Sequence, residues 1–263
     1  MTIAIGVRFG EGVAICADTK VLASDGATTS AGKIHSCITR NGIYAIADAS
    51  DDAHAAKMLG QDIINALSKE SEVSPYNIDD PIKATMKAWH DGYGSSGVPS
   101  VNFVLATVVR GNCSLRFCKP PNTVIQERAI AIGQGARVVD ALVPEVVPSH
   151  LRFGVKPTLL QVAYLTYRAK KEEGGACGGE TDAVIITRSP IQVAFIDRRE
   201  MTKAELLAKD VDSALTDIRL RLFTEETDKP DGAAKKYGAL AQRISDFDFP
   251  SSRNLEGLID ATE

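Results

Sequence analysis

Apolar residues recur every second position through most of the first fifty residues, and then the period changes to three or four. A period of two buries one face of a strand, and a period near 3.6 buries one stripe of a helix. TIAIGVRF (2–9) and GVAICAD (12–18) read as strands broken at Glu11-Gly12. KIHSCIT (33–39) and GIYAIAD (42–48) read as a second hairpin, with Asn41-Gly42 as its turn. The Thr-, Ser-, Gly- and Ala-rich stretch 19–31 reads as a loop between the pairs. From Asp51 the segment DDAHAAKMLGQDIINALSKES sets Ala56, Leu59, Ile63 and Leu67 on one helical stripe, with Asp51 and Asp52 at the positive end of the helix dipole.

The same alternation of blocks continues. DPIKATMKAWHDG predicts a helix over 80–92, with Asp80 as N-cap and Pro81 in first position. GSSGVP (94–99) is a loop. Strands resume with VNFVLATVV, SLRFCK and NTVIQERAIAIG, the last read as one run. Helices are expected near 135–147 and 158–172. The glycine-rich GGACGGE leads into the strand pair DAVIITR and IQVAFID. A final amphipathic helix at about 202–222 carries Leu207, Val211, Leu215, Ile218 and Leu222. Residues 224–263 read as a polar, partly ordered extension. Runs of strands followed by runs of helices fit an α+β fold of two antiparallel sheets flanked by helices. They disfavour a doubly wound sheet, and no glycine-rich phosphate loop argues for one. The domain expectation is 1–200, with 201–263 as a C-terminal helix and extension.

Composition narrows the function. A net charge of −4 and the lack of a basic stripe argue against a nucleic-acid partner. No apolar run reaches eighteen residues, and the N-terminus lacks a basic flank with an apolar core, so neither a membrane span nor a signal peptide is expected. Cys16, Cys37, Cys113, Cys118 and Cys177 are odd in number and form no CxxC pair, which fits reduced thiols in the cytoplasm. Cys113 and Cys118, five apart, fall on opposite faces of one strand or on separate strands. His35, His54, His90 and His150 show no ligand spacing, and no metal is expected.

Three residues at the front suggest chemistry: Thr2, Asp18 and Lys33. Removal of Met1 is favoured before a small residue and would leave Thr2 with a free amine. Such a residue carries nucleophile and base together, because its hydroxyl can attack a carbonyl while its α-amine takes the proton. The amine must be neutral to do so, and a nearby ammonium would lower its pKa. Lys33 with Asp18 as its acid partner could supply that ammonium.

These residues resemble proteasome β-type subunits, within the N-terminal-nucleophile hydrolases that include a smaller bacterial relative working with an ATPase ring. ADT at 17–19 and KI at 33–34 carry the resemblance, and GIYAIADASDDAH, AIGQGARVVDAL and ACGGETDAVIIT extend it over roughly residues 2–196. The resemblance implies a four-layer αββα sandwich, the Ntn-hydrolase fold. It implies a threonine endopeptidase without cofactors, in which Thr2 is the nucleophile, Lys33 tunes the amine, Asp18 partners Lys33 and the Asp48 backbone N–H helps hold the oxyanion. It also implies a polypeptide substrate, a homo-oligomeric ring and an ATPase unfoldase as possible partner.

Several family positions differ here. Asp48 replaces a glycine, Gln134 and Cys177 replace serines, and an aspartate falls on Gly174 beside Glu173. Gln134, Cys177 and Gly178 would form the supporting layer. By the same resemblance Lys20, Ala31, His35, Ile46 and Ser50 would shape the pocket for the residue before the cut, suited to a medium apolar side chain. Two alternatives share the fold: a non-catalytic scaffold subunit, and an amidase or acyl transferase acting on another substrate.

Overall fold

The computed structural model describes residues 2–22, 28–50, 52–70, 72–93, 97–148, 153–174, 177–224 and 230–247. The middle of the 19–31 loop, part of GSSGVP, His150, residues 175–176 of GGACGGE and the extension after 247 lie outside the described residues. The strands are β1 (Ile3–Phe9), β2 (Gly12–Asp18), β3 (Lys20–Leu22), β4 (Thr28–Ser30), β5 (Ile34–Thr39) and β6 (Gly42–Ser50). The helices α1 (Ala53–Lys69) and α2 (Asp79–Gly92) follow. Next come β7 (Val101–Val109), β8 (Asn112–Lys119), β9 (Thr123–Glu127) and β10 (Ala129–Gly133), then α3 (Ala136–Val146) and α4 (Val155–Glu172). The last elements are β11 (Thr181–Arg188), β12 (Ile191–Ile196), α5 (Arg198–Thr224) and α6 (Pro230–Asp246).

Two five-stranded sheets form, ordered β10-β1-β2-β11-β12 and β5-β6-β7-β8-β9, with β3-β4 as a separate ribbon. All neighbouring strands are antiparallel. Alternation along the strands divides the apolar residues among three cores. Ile3, Ile5 and Val7 of β1 face Leu159 and Val162 of α4, Val139 of α3 and Met201 of α5. Ala4, Val13 and Ile15 face the other way, against Ala45, Val104 and Leu115 of the second sheet. Tyr44, Ile46 and Phe103 turn out from that sheet onto Leu59 and Ile63 of α1 and Ile82 and Met86 of α2. The result is a four-layer αββα sandwich, as the block pattern and the resemblance imply. Met201 and Ala204 build the start of α5 into the first core.

Some boundaries moved. Asp52 caps α1, its carboxylate accepting from the N–H groups of His54 and Ala55. Asp80 does not cap α2. That helix starts at Asp79, and Ile78 in the cap position gives it no side-chain bond. Asp79 is instead turned toward buried Arg116, whose Nε donates to it at 2.6 Å. NTVIQERAIAIG is two strands in different sheets: β9 pairs with β8, and β10 pairs with β1. Cys113 and Cys118 both lie on β8 and face opposite cores. All five cysteines are free thiols. Among the described residues no helix is long and apolar enough to cross a membrane.

Candidate active site

Thr2 is buried immediately before β1, the strand between β10 and β2. Its backbone is fixed from both sides. The Ile3 N–H donates to Asp18 Oδ1 at 3.1 Å, and the Gln134 N–H donates to the Thr2 carbonyl at 2.9 Å. Gly133 lies against this carbonyl at φ +92°, and a Cβ there would come within 2.1 Å of the Thr2 oxygen. Only glycine allows both the backbone conformation and the approach.

Asp18 ends β2 and is fully buried. Its Oδ1 accepts from the Thr2 hydroxyl, the Ile3 N–H and, at 2.7 Å, Lys33 Nζ. Its Oδ2 accepts from the Gly178 N–H at 2.9 Å. Lys33 Nζ also donates to the Thr2 hydroxyl and, at 2.6 Å, to the Lys20 carbonyl. The ammonium therefore uses three donors on three acceptors. Burying such a pair is costly unless the remaining lone pairs and protons are satisfied, and here they are. The Thr2 hydroxyl accepts from Lys33 and donates to Asp18, so the three side chains form one closed set of contacts.

Asp48 is also buried, across the β5–β6 ladder from Lys33. Burial pushes its carboxyl up to about 6, with Lys33 pulling the other way. Its N–H already donates to the Lys33 carbonyl, at a long 3.3 Å. Gln134 reaches Thr2 through its backbone, and its side chain is exposed. Cys177 is buried, and burial, then the Asp18 charge, pushes its thiol up to about 11, so it stays protonated at neutral pH. Gly178 supplies a direct donor to Asp18.

The five pocket residues separate in space. The Lys20 carbonyl touches Lys33, and the Ala31 N–H donates to the Thr19 carbonyl at 2.9 Å, so both lie beside the site. His35 stands opposite Ile46 in the ladder, and its pKa is lowered by burial and then by Lys57. Ile46 belongs to the core under α1. Ser50 is turned to Asp52 at the start of α1, donating to its carbonyl at 2.7 Å. A cavity of about 330 Å³ lies elsewhere, lined by Leu142, Leu160, Tyr164, Leu207, Val211 and Ile244 in the outer helical layer. Among the described residues no three His, Cys, Asp or Glu side chains come together as a metal site.

Sequence reasoning missed three residues next to the site. Lys170 Nζ donates to the Gly179 carbonyl at 2.9 Å, to Thr181 Oγ1 at 2.7 Å and to Glu205 at 2.9 Å. No spacing rule links residues on α4, β11 and α5, so only the fold reveals the group.

The two sheets and their flanking helices form an αββα sandwich of the Ntn type. Among the solved structures it resembles are Anbu proteins. A mutant termed Gly-1 of Anbu from Hyphomicrobium sp. strain MC1 superposes with a TM-score of 0.66 at 16% identity, covering 83% of this chain and 100% of that one. Another Anbu structure from the same strain gives 0.64 at 17%, over 88% and 100%. Anbu, described as an ancestral beta-subunit, from Yersinia bercovieri gives 0.66 at 13%, over 84% and 97%. No protein-family model and no curated protein matches the chain. The likeness to proteasome β-type subunits is corrected accordingly. These neighbours are proteasome-like but form the distinct Anbu group, and no sequence comparison ties the chain to β-type subunits. At such identities the likeness establishes the fold.

Proposed function

We propose that this chain, once Met1 is removed, is an N-terminal threonine peptidase acting in a homo-oligomeric assembly in the cytoplasm. One observation carries the reading: the Lys33 ammonium touches both the Thr2 hydroxyl and the Asp18 carboxylate in a buried pocket. A buried cation beside a hydroxyl favours the alkoxide that develops during attack. It also disfavours a charge on the neighbouring α-amine. With the amine free, Thr2 Oγ adds to the peptide carbonyl carbon while the amine takes the hydroxyl proton. The amine passes that proton to the leaving nitrogen as the C–N bond breaks, and an ester remains on Thr2. Water then adds to the ester, the acid product leaves and the hydroxyl regains its proton.

Assembly is supported by apolar surface. Leu206, Leu215 and Ile218 of α5 are exposed, which a neighbouring copy would cover. A monomer in sedimentation at micromolar concentration would rule the assembly out.

A second reading, a non-catalytic scaffold of the same fold, is favoured by Asp48. Its N–H is already bonded to the Lys33 carbonyl, and its buried carboxyl interacts electrostatically with both Lys33 and Asp18. Intact mass before and after a peptide epoxyketone separates the two. That reagent closes a ring only with the hydroxyl and free amine of one N-terminal residue. Loss of Met1 and a single adduct, absent in Thr2→Ala, is the expected result. Retained Met1, or Met1 lost without an adduct, would overturn the peptidase reading in favour of the scaffold.

A further inference from the structure

We propose that Lys170 and Glu205 are positioning residues that hold Asp18, and through it Thr2, by clamping the turn before β11. The inference rests on the peptidase reading for its catalytic consequence, although the clamp itself is a matter of geometry.

The side chains expected to support the site contribute little to it. Gln134 is exposed, Gly174 has no side chain and the Cys177 thiol is hydrogen-bonded to the Gly135 backbone. What reaches Asp18 from this side is the Gly178 N–H, at 2.9 Å from Oδ2. The turn carrying that N–H has to be placed closely. Gly179 adopts φ +73°, and its α-carbon packs so near Thr19 that a Cβ would meet Thr19 Oγ1 at 2.8 Å. The Glu180 carbonyl accepts from the Thr19 N–H at 2.9 Å, and Thr181 pairs with Asp18 in the β2–β11 ladder.

Lys170 grips this turn at two points. Its ammonium donates to the Gly179 carbonyl and to the Thr181 hydroxyl, and spends its third donor on Glu205, 2.9 and 3.0 Å from the two carboxylate oxygens. The Thr181 hydroxyl donates in turn to Glu205. One cation and one anion thus tie α4 and α5 to the residues on either side of Glu180. Both side chains are mostly buried, at 14% and 17% exposure, so these charge-assisted bonds are shielded from water. Removing Lys170 frees the Gly179 carbonyl, and removing Glu205 takes away the counter-charge and acceptor that hold the Lys170 ammonium and the Thr181 hydroxyl in place; either way the nearby Gly178 N–H loses its anchorage. Asp18 then keeps its bonds to Lys33 and Thr2 without the one that fixes its far oxygen. Loss of such outer support lowers rates by roughly 10–100-fold without touching the reacting atoms.

Lys170→Met and the milder Glu205→Gln test this in the full-length protein, by thermal unfolding, by hydrogen exchange at the Gly178 amide and by the rate of adduct formation at Thr2 with a peptide epoxyketone. The expected result in folded variants is Gly178 exchange at least ~10-fold faster, and a saturating adduct rate lower by ~10–100-fold. The half-saturating reagent concentration stays within about twofold, because substrate contacts are untouched. Should Lys170→Met not fold, Glu205→Gln decides. Unchanged Gly178 exchange in a folded variant overturns the clamp, as does faster exchange with a wild-type adduct rate. If the wild-type protein forms no adduct, the peptidase reading falls, and Gly178 exchange alone upholds or overturns the clamp.

Discussion

The Asp48 N–H donates to the Lys33 carbonyl, so a buried carboxyl stands one ladder step from the cation that touches Thr2. Burial raises the Asp48 pKa from 3.8 to about 6. The folded protein therefore holds this proton over a range where the unfolded chain has released it. Stability from Asp48 is full below about pH 4 and is lost as pH rises through about 6, on the order of 2–3 kcal/mol in all. Asp48→Asn removes this dependence. The variant should be more stable than wild type at pH 7.5, and the gap should close by pH 4, as read by urea unfolding at the two pH values. An equal difference at both would show that Asp48 is not the titrating group.

Lys33→Ala leaves the Asp18 carboxylate buried without its cation. Breaking a buried pair by removing one partner costs roughly 3–5 kcal/mol. Chemical denaturation should show a loss of that size, with no Thr2 adduct formed by the fraction that remains folded. A loss under about 1 kcal/mol would mean that water reaches Asp18 more readily than its burial implies.

Gly133→Ala sets a methyl group 2.1 Å from the Thr2 carbonyl, at a φ that alanine avoids. The backbone must shift, and Thr2 shifts with it. A destabilisation of about 1–3 kcal/mol is expected, with adduct formation slowed more than tenfold. Gly135→Ala presses instead on Ala169 and Cys177, so its effect should fall mainly on stability. Parallel melting curves and adduct rates for the two variants separate strain at Thr2 from general packing loss.

Arg116 is 2% exposed and bonds to Asp79, Thr107 and Ser114. Asp79→Ala removes its counter-charge at the start of α2. About 2 kcal/mol should be lost, the scale of a hydrogen bond to a charged group, and Thr2 chemistry should be unchanged because the pair lies on the far sheet. Thermal unfolding with an adduct assay as control measures both.

The block order of strands and helices was legible because the apolar period changes sharply, as at Asp52, where a cap coincides with the change. The β9–β10 crossover was not. Alternation continues through Val124, Ile130 and Ile132, with no Gly or Pro at Arg128 to mark the change of sheet. α6 was hidden for another reason: Tyr237, Leu240 and Ile244 do recur at helical spacing, but Pro230 and Gly232 beside a charged stretch read as breakers. At the site, Thr2, Asp18 and Lys33 could be picked out because their chemistry is unusual as a set. Lys170 and Glu205 could not, since an ion pair between two helices leaves no trace in local spacing. Ser50 adds a local role that its place in the strand did not announce, since its hydroxyl is bonded to Asp52 at the start of α1.

Strand β1 occupies the second place in its sheet, between β10 and β2, and this orders events during synthesis. Thr2 precedes every group that seats it: Asp18 and Lys33 follow soon after, but Gly133, Gln134 and Gly178 come far later in the chain. The threonine can meet Asp18 and Lys33 early, but its carbonyl is not fixed until β10 has emerged, and the far oxygen of Asp18 is not held until the turn before β11 follows. A nascent chain therefore carries its threonine unhoused, and any reactivity that depends on the pocket arises only after the sheet has closed around its own beginning.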